Sequence, residues 1–314
     1  VVLLASGCSR PDGAAVVSVA PLSGSSSCRE CHEAFHELWE TSWHGRAMQP
    51  FGADHARLPP GEVAVDGVGY RVEPASGEVI ERGADGERRY GISHVVGGKA
   101  VAYLLTELDR GRLQVLPMPF DVRRNEWFDT TASAVRHFSD LQDEAIDWRD
   151  RALTFNTACS SCHVSHLSTS YDLATDTYAT TWSEPGISCE VCHGPGADHV
   201  AACEAAAPGG RPDDVGLVRF SELSPQQVND TCLSCHARLV PLTAAFSPGD
   251  RLFVHFDRVT LEHPDHHPDG RDLGENYTAS SWSLSPCLAD PELDCLHCHT
   301  ASGRFRFAQN PDDA

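Results

Sequence analysis

A short motif, Cys-x-x-Cys-His, occurs five times in this chain and limits its possible folds more than any other feature. Two thiols three positions apart lie on one helical turn, where both can add to the vinyl groups of one porphyrin. The histidine that follows then reaches the iron. The sequence therefore predicts five covalently attached haem c groups. The attachment cysteines are Cys28, Cys31, Cys159, Cys162, Cys189, Cys192, Cys232, Cys235, Cys295 and Cys298, and the proximal iron ligands are His32, His163, His193, His236 and His299.

Two other interpretations of the cysteine pairs have to be weighed against haem attachment. A Cys-x-x-Cys pair also occurs in zinc knuckles and in thioredoxin-like redox sites. Neither alternative explains why a histidine follows every pair. The chain holds 13 cysteines and 17 histidines, an abundance typical of a metalloprotein.

Charge and hydropathy exclude two classes of function. The 45 acidic and 24 basic residues give a net charge of -21, which would repel a phosphate backbone, so nucleic acid is not an expected partner. No apolar run is long enough to cross a bilayer. The expected partners are redox proteins with basic docking surfaces.

The first residues predict an exported protein, since haem is attached in this way outside the cytoplasm. Residues 1–8 resemble a signal and lipobox remnant that ends at Cys8, which would be lipidated and would anchor the chain to a membrane. The alternative is an ordinary secreted start with a spare thiol. Residues 9–27 are rich in Ser, Gly, Ala and Pro, the composition of a flexible linker. The expected location is periplasmic or extracytoplasmic, with anchoring to the outer membrane if Cys8 is lipidated, and both ends of the chain are expected to be truncated.

Two further cysteines, Cys203 and Cys287, remain after these assignments. In an oxidising compartment, leftover cysteines most simply pair with each other. The sequence predicts a disulfide between them, and two free thiols are the alternative.

The spacing of the motifs predicts an α+β fold that is organised by haem and contains much irregular structure. A haem-free interval separates His32 from Cys159, and it contains alternating apolar residues with turn signals at Asp66-Gly67, Ser76-Gly77 and Asp85-Gly86. We therefore expect a first haem-binding segment at residues 28–60, a small antiparallel β insert at 61–131, and a mainly helical and irregular four-haem region at 132–314.

Local signals also predict two helices. Ser224 followed by Pro225 is typical of a helix start and predicts a helix over residues 226–235, and a second short helix is expected over residues 30–41. At about sixty residues per haem, porphyrin supplies much of the apolar surface to be buried. The chain without haem is therefore expected not to fold stably.

Histidines outside the motifs are candidates for the second axial ligand of each iron. The candidate distal ligands are His44, His94, His137, His199 and His255. We expect His36, His55, His166 and the His263, His266, His267 cluster to be at the surface, and His297 is not assigned. Only two methionines are present, so bis-histidine ligation should dominate, and with the acidic chain it favours low potentials.

Several of these segments resemble multihaem c-type cytochromes with a cytochrome c-554-like (cytochrome c-552/4) domain. The similarity lies in residues 28–48, which include Trp39, Ser42 and His44, in residues 111–117, and in residues 172–200. It implies a haem-organised fold, a periplasmic or outer-surface location and electron transfer, with His44 and His199 as distal ligands. Five motifs are present, and relatives often continue into another motif beyond the position of Ala314.

The sequence supports an electron carrier and leaves two alternatives open. The prediction is an exported pentahaem cytochrome that transfers electrons through closely packed, mainly bis-histidine haems. One alternative is an oxidoreductase with one open-site haem that acts on a small nitrogen or sulfur compound, for which the single lysine, Lys99, is a candidate iron ligand or otherwise a solvated turn residue. The other is a filament subunit, which the acidic surface disfavours. Whether the protein is an enzyme is therefore left open.

Overall fold

The computed structural model describes residues 21–129, 146–207, 214–262 and 278–300, together with residues 210, 212, 266, 267, 269, 302 and 304–307. It contains both helices and antiparallel sheets, as the α+β prediction requires. The predictions for Cys8, for His137 and for most of the N-terminal linker lie outside the described residues. In the ranges given, no helix is both long and apolar enough to cross a membrane.

The β insert follows an N-terminal helical segment, α1 (Ser25–Glu40), which is longer than the predicted 30–41 helix and is kinked at His32, where φ is -119° and ψ is 38°. Its strands are β1 (Met48–Pro50), β2 (Gly61–Val65), β3 (Val68–Glu73), β4 (Glu78–Gly83), β5 (Gly86–Gly91), β6 (His94–Gly97), β7 (Val101–Glu107), β8 (Leu113–Val115), β9 (Phe120–Asp121) and β10 (Glu126–Trp127).

These strands form two sheets, where the sequence predicted one small sheet. Strands β2 to β5 form a four-stranded antiparallel meander, and the second sheet has the order β1-β6-β7-β9-β10, with β8 also paired to β7. The predicted turns are confirmed. Asp66 and Gly67 both have positive φ, of 48° and 77°, which suits the two-residue connection between β2 and β3.

The main hydrophobic core lies in this β region. Buried side chains from both sheets pack together with Trp148, whose Nε1–H donates to the hydroxyl of Tyr70 at 2.9 Å. A second core, which includes Leu105, Val115 and Phe155, joins the six-stranded sheet to the segment of the second haem motif. The β insert therefore has its own core and also supports the haem-binding region.

After residue 146 the elements are short. The helices are α2 (Phe155–Ala158), α3 (Ser160–His163), α4 (Cys189–His193), α5 (Ala197–Ala205), α6 (Pro225–His236), α7 (Leu252–His255), α8 (Thr278–Leu284) and α9 (Cys295–Cys298). Between them are the strands β11 (Val164–Ser165), β12 (Tyr171–Asp172), β13 (Thr177–Tyr178), β14 (Glu184–Pro185), β15 (Leu239–Pro241) and β16 (Phe256–Arg258). These strands pair in three small hairpin-like sheets, which the prediction of helices and loops did not include.

Large buried side chains are scarce in the last third of the chain. Among the described residues after 214, the buried hydrophobic residues are Val228, Ala237, Leu252 and Ala279. Most of the other buried hydrophobic residues in the described part of the chain lie in the β region. This distribution fits the expectation that porphyrin completes the core of the C-terminal region.

Candidate haem-binding site

Each Cys-x-x-Cys pair lies on one helical turn. The first pair is within α1, the third and fifth pairs begin α4 and α9, and the fourth pair is in the last turns of α6. Helix α6 starts as predicted, with Ser224 as N-cap, Pro225 in the first turn, and a capping box closed by Gln227. This local geometry brings the two sulfurs of a motif to the same side of the helix, as attachment to one porphyrin requires.

The motifs are neighbours in space although they are far apart in sequence. Cysteines of different motifs interact in three pairs, which are Cys28 with Cys189, Cys162 with Cys235, and Cys232 with Cys295. Cys192 interacts electrostatically with Cys232 and Cys235. All five motifs therefore belong to one connected cluster.

The surroundings of these thiols are apolar. Burial raises the pKa of Cys28 to about 11, and it raises the pKa of Cys192 to the same value. The hydrogen bond between Cys232 and Cys295 raises the pKa of Cys232 and lowers that of Cys295. Neutral thiols in an apolar cleft suit a hydrophobic macrocycle.

Two pairs of histidine rings have the spacing that an iron between them would require. The ring centroids of His32 and His199 are 6.4 Å apart, and those of His44 and His236 are 6.1 Å apart. A metal–imidazole bond of about 2.0–2.1 Å, with the ring centre about 1.1 Å beyond the nitrogen, places trans ring centres about 6.3 Å apart. The residues present therefore fit bis-histidine coordination of iron at these two places.

Several of these histidines have their second ring nitrogen fixed by a backbone carbonyl. Nδ1 of His199 is 2.8 Å from the oxygen of Val215, and Nδ1 of His193 is 2.9 Å from the oxygen of Val218. Nδ1 of His163 is likewise 2.9 Å from the oxygen of Ala47. Such bonds place the ring proton on Nδ1, which is usual for histidines that bind a metal through Nε2.

Burial keeps the second ring pair neutral. It lowers the pKa of His44 to about 4, and it lowers the pKa of His236 as well, with nearby histidines adding to both effects. His236 is nevertheless exposed to solvent, and His44 is half-buried. Neutral imidazole is the form that binds iron.

Backbone contacts hold His44 against the segment that immediately precedes the third motif. Nε1 of Trp39 donates to the oxygen of Ile187 at 2.7 Å, and the amide of Ile187 donates to the oxygen of His44 at 2.9 Å. Gly186 has a φ of 75°, and a Cβ there would be 2.6 Å from the oxygen of Gly45. Only glycine permits this close approach of the two backbones.

The other candidate ligands have different surroundings. His255 has Nδ1 2.7 Å from the hydroxyl of Thr243 and Nε2 3.3 Å from the carboxylate of Asp250. His94 has Nδ1 3.1 Å from the hydroxyl of Ser93, and its ring packs edge-on against Trp182. Neither contact adds support for iron ligation.

The remaining predicted residues are also located. The thiols of Cys203 and Cys287 are free and exposed, so the structure lacks the disulfide that the sequence predicts, and the sulfur of Cys203 instead lies 3.8 Å from Nδ1 of His199. Lys99 is half-buried in the turn between β6 and β7. His36 was expected at the surface but is only 6% exposed, because its ring packs against Trp39.

Three contributors to the site were missed by sequence reasoning. Glu190 and Gly186 hold backbone segments around the third motif, and Asn229 accepts a hydrogen bond from the amide of Cys295 at 2.9 Å, which joins α6 to α9. Glu190 occupies a variable position of its motif, and neither Gly186 nor Asn229 belongs to one. Nothing in the sequence pattern distinguishes them.

Comparison with known proteins supports the class that the motifs define. Residues 123–194 match the family model described as cytochrome c554 and c-prime. No curated protein matches the chain. With the five motifs, this match supports a multihaem c-type cytochrome and implies covalently bound haem c as the cofactor.

The fold is similar to that of a solved outer cell wall cytochrome. The structure resembles the outer cell wall cytochrome OcwA with a TM-score of 0.54 and 18% identity, over 89% of this chain and 56% of that one. An undecaheme cytochrome from the S-layer of Carboxydothermus ferrireducens aligns with a TM-score of 0.45 and 15% identity, over 92% of this chain and 41% of that one. The chain thus spans little more than half the length of OcwA.

Proposed function

We propose that this protein is an exported pentahaem cytochrome that transfers electrons through closely placed, mainly bis-histidine haems. The observation that carries the proposal is the pair of histidine ring contacts, His32 with His199 and His44 with His236. Bound haem supplies one-electron redox chemistry at iron. An iron with two protein ligands has no position left for a substrate, which favours transfer of electrons over catalysis.

The contacts between motifs support a continuous route. The first motif contacts the third at Cys28 and Cys189, and the fourth motif contacts both the second and the fifth. Electrostatic interaction of Cys192 with Cys232 connects these two groups. Each motif therefore has a neighbour to which an electron can pass without leaving the protein.

Charge supports low reduction potentials and a basic partner. The chain carries a net charge of -21 before any haem propionate is added. Negative charge stabilises the ferric state and attracts positively charged surfaces. The physiological donor and acceptor are therefore expected to dock through lysine-rich or arginine-rich patches.

An extracytoplasmic location is part of the proposal. Covalent haem attachment takes place outside the cytoplasm, and the solved protein with a similar fold is described as an outer cell wall cytochrome. Lipidation at Cys8 would add a membrane anchor. The enzymatic alternative at Lys99 has no comparable observation in its favour.

Low-temperature electron paramagnetic resonance (EPR) of the oxidised holoprotein tests the axial ligands. Nearly parallel imidazoles act on the same iron d orbital and give a rhombic low-spin signal, whereas strongly twisted ones give a larger maximum g value. The planes of His32 and His199 differ by 18°, and those of His44 and His236 by 51°. We expect H199A to remove a rhombic signal and H44A to remove a signal of larger g.

The control variant is H166A, because His166 is exposed and its Nδ1 contacts only the hydroxyl of Ser183 at 3.0 Å among the bonds described. It should leave all low-spin signals unchanged. Wild-type protein with all iron low-spin and insensitive to nitrite or hydroxylamine supports electron transfer. A high-spin haem that responds to either molecule would refute it in favour of the enzymatic alternative.

A further inference from the structure

The carboxylate of Glu190 is the most heavily used buried acceptor near the motifs. Glu190 follows the first cysteine of the third motif and is 3% exposed. Its Oε1 accepts from the amides of Ser23 at 2.8 Å and Gly196 at 2.7 Å, and its Oε2 accepts from the amide of Gly24 at 3.0 Å. Charge-assisted bonds of this kind are about twice as strong as neutral ones.

These three bonds connect the two chain segments that present one histidine pair. Ser23 and Gly24 immediately precede α1, which carries His32. Gly196 immediately precedes α5, which carries His199. One oxygen, Oε1, therefore contacts both segments.

The space around Oε1 is also closely fitted. A Cβ at Gly196 would lie 2.7 Å from the hydroxyl oxygen of Ser23 and 3.3 Å from Oε1 of Glu190. A side chain at residue 196 would therefore have to displace the Ser23 hydroxyl from its place beside the carboxylate. The arrangement fixes the start of α5 relative to the start of α1.

We propose that Glu190 is a positioning residue that holds His199 opposite His32. The third haem motif thereby builds the axial ligand pair of the first haem, in addition to attaching its own. This inference rests on the proposed bis-histidine function. The neighbouring Glu184 accepts from the amide of Ser25 at 2.8 Å, so it also holds the start of α1, but its described bonds do not include Gly196.

The proposal depends on the length of the Glu190 side chain rather than on its charge, and two conservative variants separate these two properties. E190Q keeps the length of the side chain, and its carbonyl oxygen can still accept from both Ser23 and Gly196. E190D keeps the charge but is one methylene shorter, so it cannot reach both amides. E190A removes all three bonds.

The test is EPR of oxidised holoprotein for the wild type and for E190A, E190D, E190Q and E184A. In E190A and E190D we expect loss of the rhombic low-spin signal of one haem in five, with high-spin iron in its place. Free imidazole should restore that iron to low spin. E190Q and E184A should retain the wild-type signal.

Each outcome decides the proposal. Unchanged spectra in E190A and E190D, or an equal loss in E184A, overturn the role of Glu190. If E190A yields no holoprotein, the other two variants decide. Loss of the rhombic low-spin signal in E190Q, with the signal retained in E190D, would also overturn the role of Glu190. Wild-type protein without low-spin bis-histidine iron would instead refute the proposed function, before any variant is compared.

Discussion

Substitution of Gly186 by alanine tests how the backbone holds His44 beside His236. A Cβ at position 186 would be 2.6 Å from the oxygen of Gly45 and 3.0 Å from the oxygen of His44. The φ of 75° adds backbone strain of about 1–2 kcal/mol, and overpacking adds about 1–3 kcal/mol. We expect G186A to lower the free energy of unfolding by about 2–5 kcal/mol in total.

The matched control is G67A in the β2–β3 turn. Gly67 has nearly the same φ, 77°, but no atom lies within 4 Å of its Cβ position. This variant should therefore show only the backbone cost of about 1–2 kcal/mol. The difference between the two variants measures the packing of residues 186 and 45.

Urea unfolding of the holoprotein gives the two free energies, and EPR reports on the iron. Because the clash displaces the carbonyl of His44, G186A should convert the iron between His44 and His236 partly to high spin, and G67A should not. Equal destabilisation by the two variants, together with identical spectra, would show that the contact between Gly186 and Gly45 does not position His44.

Three further predictions concern the supporting structure. Burial raises the pKa of Tyr70 from 10.0 to about 12, so the folded state holds this proton more tightly than the unfolded state does. The free energy of unfolding should therefore fall as the pH rises from 10 towards 12, and urea unfolding across this range should show a smaller fall for Y70F. N156A should cost about 1–3 kcal/mol in the same assay, because the buried amide of Leu113 loses its acceptor at 2.7 Å, whereas the exposed variant S168A should cost little. The chain without haem is expected not to fold stably as a whole, but the β insert has its own core. In haem-free chain, hydrogen exchange should therefore be slow in β3 and β7 and fast in α6, and uniform protection would contradict the dependence of the C-terminal region on porphyrin.

Local patterns made much of the fold predictable. The alternation of apolar residues and the Asp-Gly turn identified the β insert, and Ser224 with Pro225 identified the start of α6. These features depend on neighbours in sequence. The division of the strands into two sheets depends on which strands meet, and this is set by long-range packing around residues such as Trp148.

The sequence named the covalent positions of the candidate site and proposed His44 and His199 as distal ligands, but it did not indicate which motif each distal histidine lies beside. The motif spacing identified the attachment cysteines and the proximal histidines, because that chemistry is local. His44 follows the first motif in sequence, yet its ring lies beside His236 of the fourth motif. The pairing depends on contacts such as Ile187 with His44, which no local pattern encodes.

The crossed pairing of His32 with His199 has a consequence for how the protein is made. A chain that emerges from its N-terminus presents the first haem motif long before His199 has been synthesised. If His32 and His199 share one iron as proposed, iron attached at that stage would lack its second histidine until the third motif has also emerged. A product that ends before residue 199 would then lack that histidine permanently.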